Sequence, residues 1–342
     1  MEQKRLLWID ILNIIACMGV VLLHSTNGQI HGYSGIHSFD WYLGLLTHSF
    51  FLWPVDVFFM ISGFTLVRKS LISDELGGVK YFYNKRLARL AIPVLSWNFL
   101  YMLKYIVQCN YNHLEIGCWE VLIKKFILFE YNGFMWFFIP LFIIYLSLPF
   151  FTVFVVNADN KLLRLYLLMG LLLGSLSFSD SSSGSAYIMG TRYFFFIAAG
   201  YYIGNFGIPV RYRSLFYWVG CICMVFIGGA TMVLFIFAPE HYRYFLSYTN
   251  IPCAVSAMAV FTFFRYFDWE SLISKLRISS QAVKQISGLS LGIYLIQAMW
   301  FDFFAHFYPI SNLLLRFLII YVLSMLSVYM MTKIPLVRRM VS

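Results

Sequence analysis

Charged residues are scarce in this chain, and the shortage limits the classes of protein to which it can belong. Of its 342 residues, 12% are Asp, Glu, Lys or Arg, whereas soluble globular domains carry roughly 25%. Hydrophobic residues make up 61% and occur in long runs, many of them near the ~20 residues that cross a bilayer as a helix. The composition predicts an all-α, polytopic membrane bundle that forms a single domain over residues 1–342, without a separate soluble domain.

Cysteine is also sparse, and its placement favours no metal site. Four of the six cysteines fall inside apolar runs, where a small hydrophobic role is expected: Cys17, Cys221, Cys223 and Cys253. Cys109 and Cys118 share one loop, where a disulfide is an alternative to two free thiols. Their spacing matches no familiar metal-binding pattern, so we predict that the protein holds no metal ion.

The apolar runs predict ten transmembrane helices. The first has no small-residue cleavage site after it, so we interpret it as a retained helix and not as a signal peptide. No internal repeat of the kind found in many transporters is visible. The predicted spans are residues 7–26, 43–67, 90–108, 134–156, 162–178, 187–206, 215–237, 248–266, 288–307 and 313–332.

The basic residues predict the orientation of these spans. With the N-terminus in the cytoplasm, the inner segments 1–6, 68–89, 157–164, 207–214, 265–287 and 333–342 hold 19 of the 25 Lys and Arg residues. Lys and Arg gather in cytoplasmic loops, so the net charge of +10 is assigned to topology and not to nucleic acid. We expect both termini inside, in a multi-pass protein of the plasma membrane, of bacterial type.

The first span, within "WIDILNIIACMGVVLLHS", carries Asp10, Asn13 and His24. Ionisable groups inside a membrane are costly and usually face the bundle interior at a functional site. His24 lies 14 residues beyond Asp10, which is roughly 21 Å along a helix, so the two are not direct partners. Plainer interpretations remain open: Asp10 as a first-turn carboxylate favoured by the helix dipole, and His24 as an interfacial residue bonded to a loop.

Two further motifs carry polar groups towards the inner side. In "PVDVFFMISGF" Asp56 is predicted to lie mid-helix, deep in the hydrocarbon, while Ser62 and the glycine after it suit close helix packing. A predicted amphipathic helix from Lys80 to Leu90 places Arg86 and Arg89 three residues apart on one face. Two adjacent guanidinium groups match a diphosphate, although anchoring to lipid headgroups is the alternative.

Later spans offer weaker candidates. Trp136 and Arg192 are predicted at the outer ends of spans 4 and 6, and Tyr294 and Gln297 lie in the middle of span 9. Asp302 and His306, four residues apart, are expected to form a structural ion pair.

In their order along the chain, these motifs resemble the acyltransferase-3 family of integral membrane acyltransferases. The resemblance rests on "WIDILNIIACMGVVLLH", "VDVFFMISGF", "FYNKRLARLAIPVLSW", "WFFIPLFIIYLSLPF" and "SLGIYLIQ". It departs from the family at two polar positions, since Asn13 stands where a basic residue is usual and Gln297 where a histidine is common. His24, Asp56, Arg86 and Arg89 match the family pattern.

The resemblance implies an enzyme that transfers an acyl group, most often acetyl, from acyl-CoA to a hydroxyl of a cell-surface glycan or its lipid-linked precursor. We expect His24 to be the general base, with Asp10 bracing the passage below it. Donor binding is expected at Arg86, Arg89, Asn13 and Ser62. Acceptor binding is expected at Asp56, Trp136, Arg192, Tyr294 and Gln297. Acetyl-CoA, the glycan and membrane lipids would be the partners, without nucleic acid; homodimerisation is left open.

Two other classes of protein fit part of the pattern. A transporter or flippase for a glycan or lipid-linked sugar would also have about ten spans, buried polar groups and a basic inner face. An inactive structural relative in a polysaccharide-export assembly would account for the departures at Asn13 and Gln297.

Overall fold

A computed structural model gives the structure of residues 6–31, 38–72, 78–175, 185–248 and 250–341, with the backbone alone at 28–31, 174–175 and 185–191. Every regular element in these ranges is a helix, so the all-α prediction is confirmed. The α-helices are α1 Leu7–His31, α2 Phe39–Phe50, α3 Trp53–Leu66, α4 Lys69–Ile72, α5 Gly78–Tyr81, α6 Ala88–Tyr111, α7 Trp119–Ile127, α8 Phe138–Asn157, α9 Asn160–Ser175, α10 Ser185–Phe206, α11 Val210–Phe237, α12 Ile251–Tyr266, α13 Trp269–Lys275, α14 Ser280–Phe307, α15 Leu313–Lys333 and α16 Pro335–Arg338.

Eight helical segments of the described chain are long and apolar enough to cross a membrane, and they contain eight of the ten predicted spans. The predicted spans 162–178 and 187–206 coincide with α9 and α10, and residues 176–184 between these helices lie outside the described ranges. The eight segments are Leu7–Asn27, Phe39–Leu66, Gly78–Tyr111, Gly133–Asn157, Val210–Phe237, Pro239–Tyr266, Ser280–Phe307 and Leu313–Lys333.

The two ends of the described chain lie at the same end of the bundle. Leu6, just before α1, and Val341, just after α16, border one cavity. Both termini on one side require an even number of crossings, as the ten-span prediction has. Which end faces the cytoplasm stays a prediction.

A break in the second predicted span changes the surroundings of Asp56. Helix α2 ends at Phe50 and α3 begins at Trp53, with Pro54 in its first turn. Proline lacks the N–H that a continuous helix needs and suits the start of a new one. Asp56 therefore lies in the first turn of α3, near the positive end of the helix dipole. The prediction that it lies mid-helix was wrong.

The arginine pair lies at a junction between two kinds of helix and not on one regular α-helix. Residues Phe82–Leu87 form a π-helical turn between α5 and α6. Arg86 belongs to this turn, whereas Arg89 belongs to the first turn of α6. The wider π-helical turn changes the direction of Arg86 relative to a continuous α-helix, and such turns are frequent at functional sites.

The predicted ion pair between Asp302 and His306 does not form, and neither does the disulfide that was left open as an alternative. Cys109 and Cys118 are free thiols. Asp302 pairs with Lys104 of α6 and not with His306, because Lys104 brings a full positive charge within reach of the carboxylate. The ring of His306 lies against Phe307 instead. The Lys104–Asp302 pair links α6 to α14.

Helix α1 is the central element of the bundle, because α2, α3, α12, α14 and α15 all pack against it. Its apolar side chains Leu12, Ala16, Val20 and Val21 are almost completely buried. The first span is therefore surrounded by protein along much of its length, which is the environment that its polar residues require.

Two glycines allow α3 and α10 to touch through their backbones. A Cβ atom at Gly63 would collide with the backbone carbonyl of Ile197, and one at Gly200 would collide with that of Met60. Small residues let membrane helices approach closely. The packing role expected for the residues around Ser62 is thus filled by Gly63.

We expect Gly63→Ala to destabilise the protein, because the new methyl group meets a backbone carbonyl that cannot move alone. Overpacking of this kind costs about 1–3 kcal/mol of unfolding free energy. Thermal unfolding of the purified protein in detergent measures the effect. Gly229→Ala on α11 is the matched control, since nothing lies within 4 Å of its added Cβ. Equal melting temperatures for the two variants would contradict the close contact.

Candidate active site

A large cationic cavity opens at the end of the bundle where both ends of the described chain lie. Its volume is about 1860 Å³, larger than the 300–1,000 Å³ of most small-molecule pockets. It is bordered by α1, α3, α5, the π-helical turn, α14 and α15. Among the residues that the structure describes, one carboxylate, that of Asp10, and seven basic residues line it, namely Arg68, Arg86, Arg89, Lys284, Lys333, Arg338 and Arg339.

The crowding of positive charge affects the pKa of Arg68, which follows α3. Burial, and then the neighbouring charge of Arg86, lower the pKa of the Arg68 guanidinium from its usual value. Like charges held together in a half-enclosed space repel one another. An anion with several charges would relieve this repulsion, so the cavity suits a polyphosphate better than a neutral ligand.

The structure brings four of the predicted inner-side residues together in this cavity. Asp10, Asn13, Arg86 and Arg89 all line it. Ser62 does not: its hydroxyl donates to the carbonyl of Phe58 one turn earlier, while its neighbour Ile61 lines the cavity.

Asn13 uses its amide to bind α1 to α14. Its Nδ2 donates to the carbonyl oxygen of Ser287 at 2.9 Å, and lies within hydrogen-bond distance of the hydroxyls of Ser287 and Ser290, at 3.1 and 3.2 Å. One turn further along α1, the Cys17 thiol lies 3.6 Å from the carbonyl oxygen of Ser290. Small polar groups therefore follow the contact between α1 and α14 from the cavity towards His24. We call this row of residues the α1–α14 seam.

His24 lies inside the bundle and not against lipid, with only 7% of its surface exposed. Its imidazole stacks on the ring of Phe134 at 3.9 Å between centroids, with the two planes 6° apart. Tyr294 and Phe301 present their rings edge-on at 6.0 and 6.5 Å. The Gln297 side chain lies beside the imidazole, and its Nε2 donates to the carbonyl of Tyr294 at 3.1 Å. We refer to these four neighbours as the His24 cage.

Two polar atoms of this cage are left without hydrogen bonds in the described part of the chain. They are Nδ1 of His24 and Oε1 of Gln297, both shielded from solvent. Buried polar atoms are nearly always hydrogen-bonded in native structures. An imidazole with a vacant nitrogen in an apolar cage is able to accept a proton from a ligand that reaches it.

Phe134 is held against His24 by a tyrosine of α14. Residues Gly133–Phe137 form a 3₁₀-helix before α8, begun by Asn132, whose side chain accepts from the backbone N–H of Phe134. The Tyr294 hydroxyl donates to the Phe134 carbonyl at 2.7 Å. The same 3₁₀-helix carries Trp136, which stacks on Tyr248 at 5.2 Å and does not touch His24.

Asp56 belongs to a separate buried cluster. The Cys253 thiol donates to its Oδ2 at 3.3 Å, and its Oδ1 has no hydrogen bond with any described residue. Tyr193 and Tyr248 lie close enough to interact with it electrostatically. Arg192 interacts with Tyr193 and is only partly buried. Of the predicted acceptor residues, Asp56 and Arg192 thus meet around Tyr193.

Ring contacts connect the Asp56 cluster to the His24 cage. Tyr294 lies 5.6 Å from Phe137, Phe137 lies 5.1 Å from Phe59, and Phe59 stacks on Tyr193 at 4.2 Å. The two clusters are therefore neighbours.

The cationic cavity does not extend to His24. Its lining ends at Asn13 on α1 and Leu291 on α14. His24 is 11 residues beyond Asn13, about 16 Å along the helix, and Cys17, Val20 and Val21 in between are at most 2% exposed. A molecule that spans both sites has to separate α1 from its neighbours along the seam.

Sequence reasoning missed several residues of the site. Five cavity cations, Arg68, Lys284, Lys333, Arg338 and Arg339, were counted only as topology signals. Phe134 and Phe301 read as ordinary apolar residues of a span. The surplus of basic residues at 333–342 was the one usable signal, since it exceeds what anchoring requires.

The fold and these sites define a polytopic membrane protein with a polyanion cavity at one end and a buried histidine further in. A family model described as an acyltransferase domain matches residues 6–333. The chain therefore belongs to the acyltransferase-3 family, and it is an acyltransferase by membership. Neither a curated protein nor a solved structure gave a significant match.

We expect Tyr294→Phe to loosen the 3₁₀-helix beside His24, while the phenylalanine ring keeps the packing of the original side chain. The change removes one hydrogen bond, worth about 0.5–1.5 kcal/mol. Hydrogen–deuterium exchange followed by mass spectrometry should show faster exchange at residues 133–137. Tyr321→Phe on α15, outside the cage, is the control. Unchanged exchange at 133–137 would mean that Tyr294 does not hold this segment.

Proposed function

We propose that this protein transfers an acyl group from acyl-CoA to a hydroxyl of a cell-surface glycan or its lipid-linked precursor. Membership of an acyltransferase family supports acyl transfer as the class of reaction. The observation that supports the identity of the donor is the cationic cavity, whose described lining has seven basic residues and one carboxylate. Acetyl is the acyl group that we expect.

The donor proposal rests on the match between charge and ligand. The nucleotide part of CoA carries a diphosphate and a further phosphate, and guanidinium groups bind phosphates through paired hydrogen bonds. Arg86 and Arg89 would hold the diphosphate, and Arg338 and Arg339 also line the cavity. The cavity is bounded by the most basic segment of the chain, so we assign this end to the cytoplasm, where positive residues gather.

The narrow arm of the donor would follow the α1–α14 seam to His24. Asn13, Ser287 and Ser290 offer it amide and hydroxyl groups, and Cys17 adds a small side chain. Because the seam is closed over about 16 Å, donor binding has to be coupled to a separation of helices. Binding energy from the phosphates is available for this movement.

His24 would act as general base on the acceptor hydroxyl. In a direct transfer, the hydroxyl oxygen forms a bond with the thioester carbonyl carbon while its proton passes to the imidazole. The carbon–sulfur bond then breaks, and the proton leaves with the CoA thiol. The Nδ1 atom of His24, which has no hydrogen bond with any described residue, suits this role because it can accept the proton of a hydroxyl that reaches it. Gln297, in the position where the family often has histidine, would orient the imidazole.

The acceptor would approach from the side of His24 away from the cationic cavity. Trp136, with its partner Tyr248, and Tyr294 provide aromatic surfaces of the kind that sugars contact. Asp56 offers a vacant carboxylate oxygen for a hydroxyl. Arg192 lies beside the same cluster. In this arrangement the donor and the acceptor reach His24 from opposite ends, and a transporter's alternating access is not needed.

Replacing the arginine pair should weaken the binding of CoA. CoA should raise the melting temperature of the purified protein, because a ligand that binds only the folded state stabilises it. In the double variant Arg86→Ala, Arg89→Ala we expect affinity for CoA to fall at least about tenfold, since charged hydrogen bonds contribute about 1.5–3 kcal/mol each.

The exposed Arg211, which does not line the cavity, gives the control variant Arg211→Ala. Undiminished stabilisation by CoA in the double variant would assign the two arginines to lipid anchoring. Absence of stabilisation in the wild type would reopen the transporter interpretation.

Replacing His24 should abolish transfer without preventing donor binding. For His24→Ala we expect acylation of membrane glycans to fall by a factor of about 10² or more, the usual contribution of a general base. Mass spectrometry of cell-surface glycans measures the product, and CoA-dependent stabilisation confirms that the variant is folded. His48→Gln removes another buried histidine, one that hydrogen-bonds to Thr26, and serves as control. Normal glycan acylation by His24→Ala would remove the proposed base.

A further inference from the structure

Arg316 is a basic residue that no step of the proposed reaction uses. It lies in the first turn of α15, at the end of the bundle opposite the cationic cavity, because the other end of α15 lines that cavity at Thr332 and Lys333. Basic side chains near the end of a membrane helix normally extend outwards to reach water. The side chain of Arg316 is half-buried, and its Nε and Nη2 atoms are shielded from solvent.

The shielded nitrogens of Arg316 have no partner among the residues that the structure describes. Neither Nε nor Nη2 makes a hydrogen bond. Asp302, an acidic residue of the neighbouring α14, is already paired with Lys104. Shielding part of a charged group from water without a counter-charge is unfavourable. The two shielded nitrogens without hydrogen bonds are therefore suited to an anion that a ligand supplies.

Trp300, on the neighbouring helix α14, supplies a second donor without a partner among the described residues. Its indole Nε1 is buried without a hydrogen bond in the described ranges. Helices α14 and α15 are antiparallel and touch where Gly292 meets Val328, whose Cγ1 would lie 2.7 Å from a Cβ at that glycine. From this contact, Trp300 lies about 12 Å along α14 and Arg316 about 18 Å along α15. Both distances run away from the cationic cavity.

The two donors continue the line that begins at the His24 cage. Gln297 and Phe301, which contact His24, flank Trp300 along α14. The order along the bundle axis is therefore His24, then Trp300, then Arg316. A ligand held by the two donors would extend towards the imidazole.

We propose that Arg316 and Trp300 form a binding site for an anionic oxygen group, a phosphate or a carboxylate, carried by the acceptor. Nε and Nη2 of a guanidinium form one edge that suits two oxygens of such a group, and the indole N–H supplies a third hydrogen bond. This inference rests on the proposed function and adds to it that the acceptor is an acidic sugar or a sugar phosphate. The site selects for charge on the acceptor and leaves the reacting hydroxyl to His24.

The binding test uses the full chain, purified in detergent, with small sugars as probes. Glucose 1-phosphate and glucuronate should raise the melting temperature, whereas neutral glucose should not. In Arg316→Gln the apparent affinity for both anions should fall roughly ten- to hundredfold, as expected for the loss of a charged hydrogen-bonded pair. Trp300→Phe keeps the ring against Phe303 and Phe304, and should weaken affinity a few-fold.

Arg243→Gln is the matched control, since Arg243 is an exposed arginine before α12 and away from these donors. No stabilisation by either anion, or equal stabilisation in Arg316→Gln and Arg243→Gln, would overturn the site. If Arg316→Gln does not fold, an undiminished response in Trp300→Phe would count against the proposal in the same way.

A lipid headgroup is the other source of such an anion, and native mass spectrometry distinguishes it. A phospholipid that remains bound to the wild type, is lost in Arg316→Gln and is not displaced by glucuronate would overturn the acceptor assignment. Failure of the proposed function is separable, because sugar binding does not require acyl transfer. If the anions bind while His24→Ala acylates normally, the site stands and the catalytic proposal falls.

Discussion

The satisfaction of polar groups inside the bilayer is the constraint on which this structure depends. Hydrocarbon offers no hydrogen bonds, so each polar side chain of α1 needs a partner from the protein. Asn13 finds Ser287 and Ser290, while Ser25 and Thr26 donate to backbone carbonyls of α1 itself. The hydrogen bonds of Asn13 place α14 beside α1, and α14 follows α1 from the cavity to the His24 cage. His24 is the exception, since one of its nitrogens stays unbonded where bonding is most needed.

The cationic cavity illustrates how a site can be built from residues that are distant in sequence. Its basic residues come from the segment after α3, from the π-helical turn and start of α6, from α14 and from the end of the chain after α15. Each group alone resembles the ordinary positive flank of a membrane helix. Their convergence around one volume is a property of the fold, and it converts a topology signal into a site for a polyanion.

The sequence predicted those features that depend on composition and on short spacing. Long apolar runs revealed the helices, and the motifs of the family led to Asp10, His24, Arg86 and Arg89. The surroundings of Asp56 could not be predicted in this way, because hydropathy does not register the break between Phe50 and Trp53. The partners of Asn13 and the stacking of Phe134 on His24 join residues more than 100 positions apart. Only the packing of the whole bundle determines such contacts.

Charge of this density has a consequence for selectivity. Seven basic residues around about 1860 Å³ attract any compact polyphosphate, and nucleoside triphosphates share that chemistry with CoA. Long-range electrostatics raises the rate of capture more than it discriminates between ligands. Recognition of the correct molecule therefore falls to the part that enters the closed seam, which only a thin, flexible chain can open. If CoA is the donor, as proposed above, abundant nucleotides would compete with it for the cavity, and the energetic state of the cell would set how often the cavity is free.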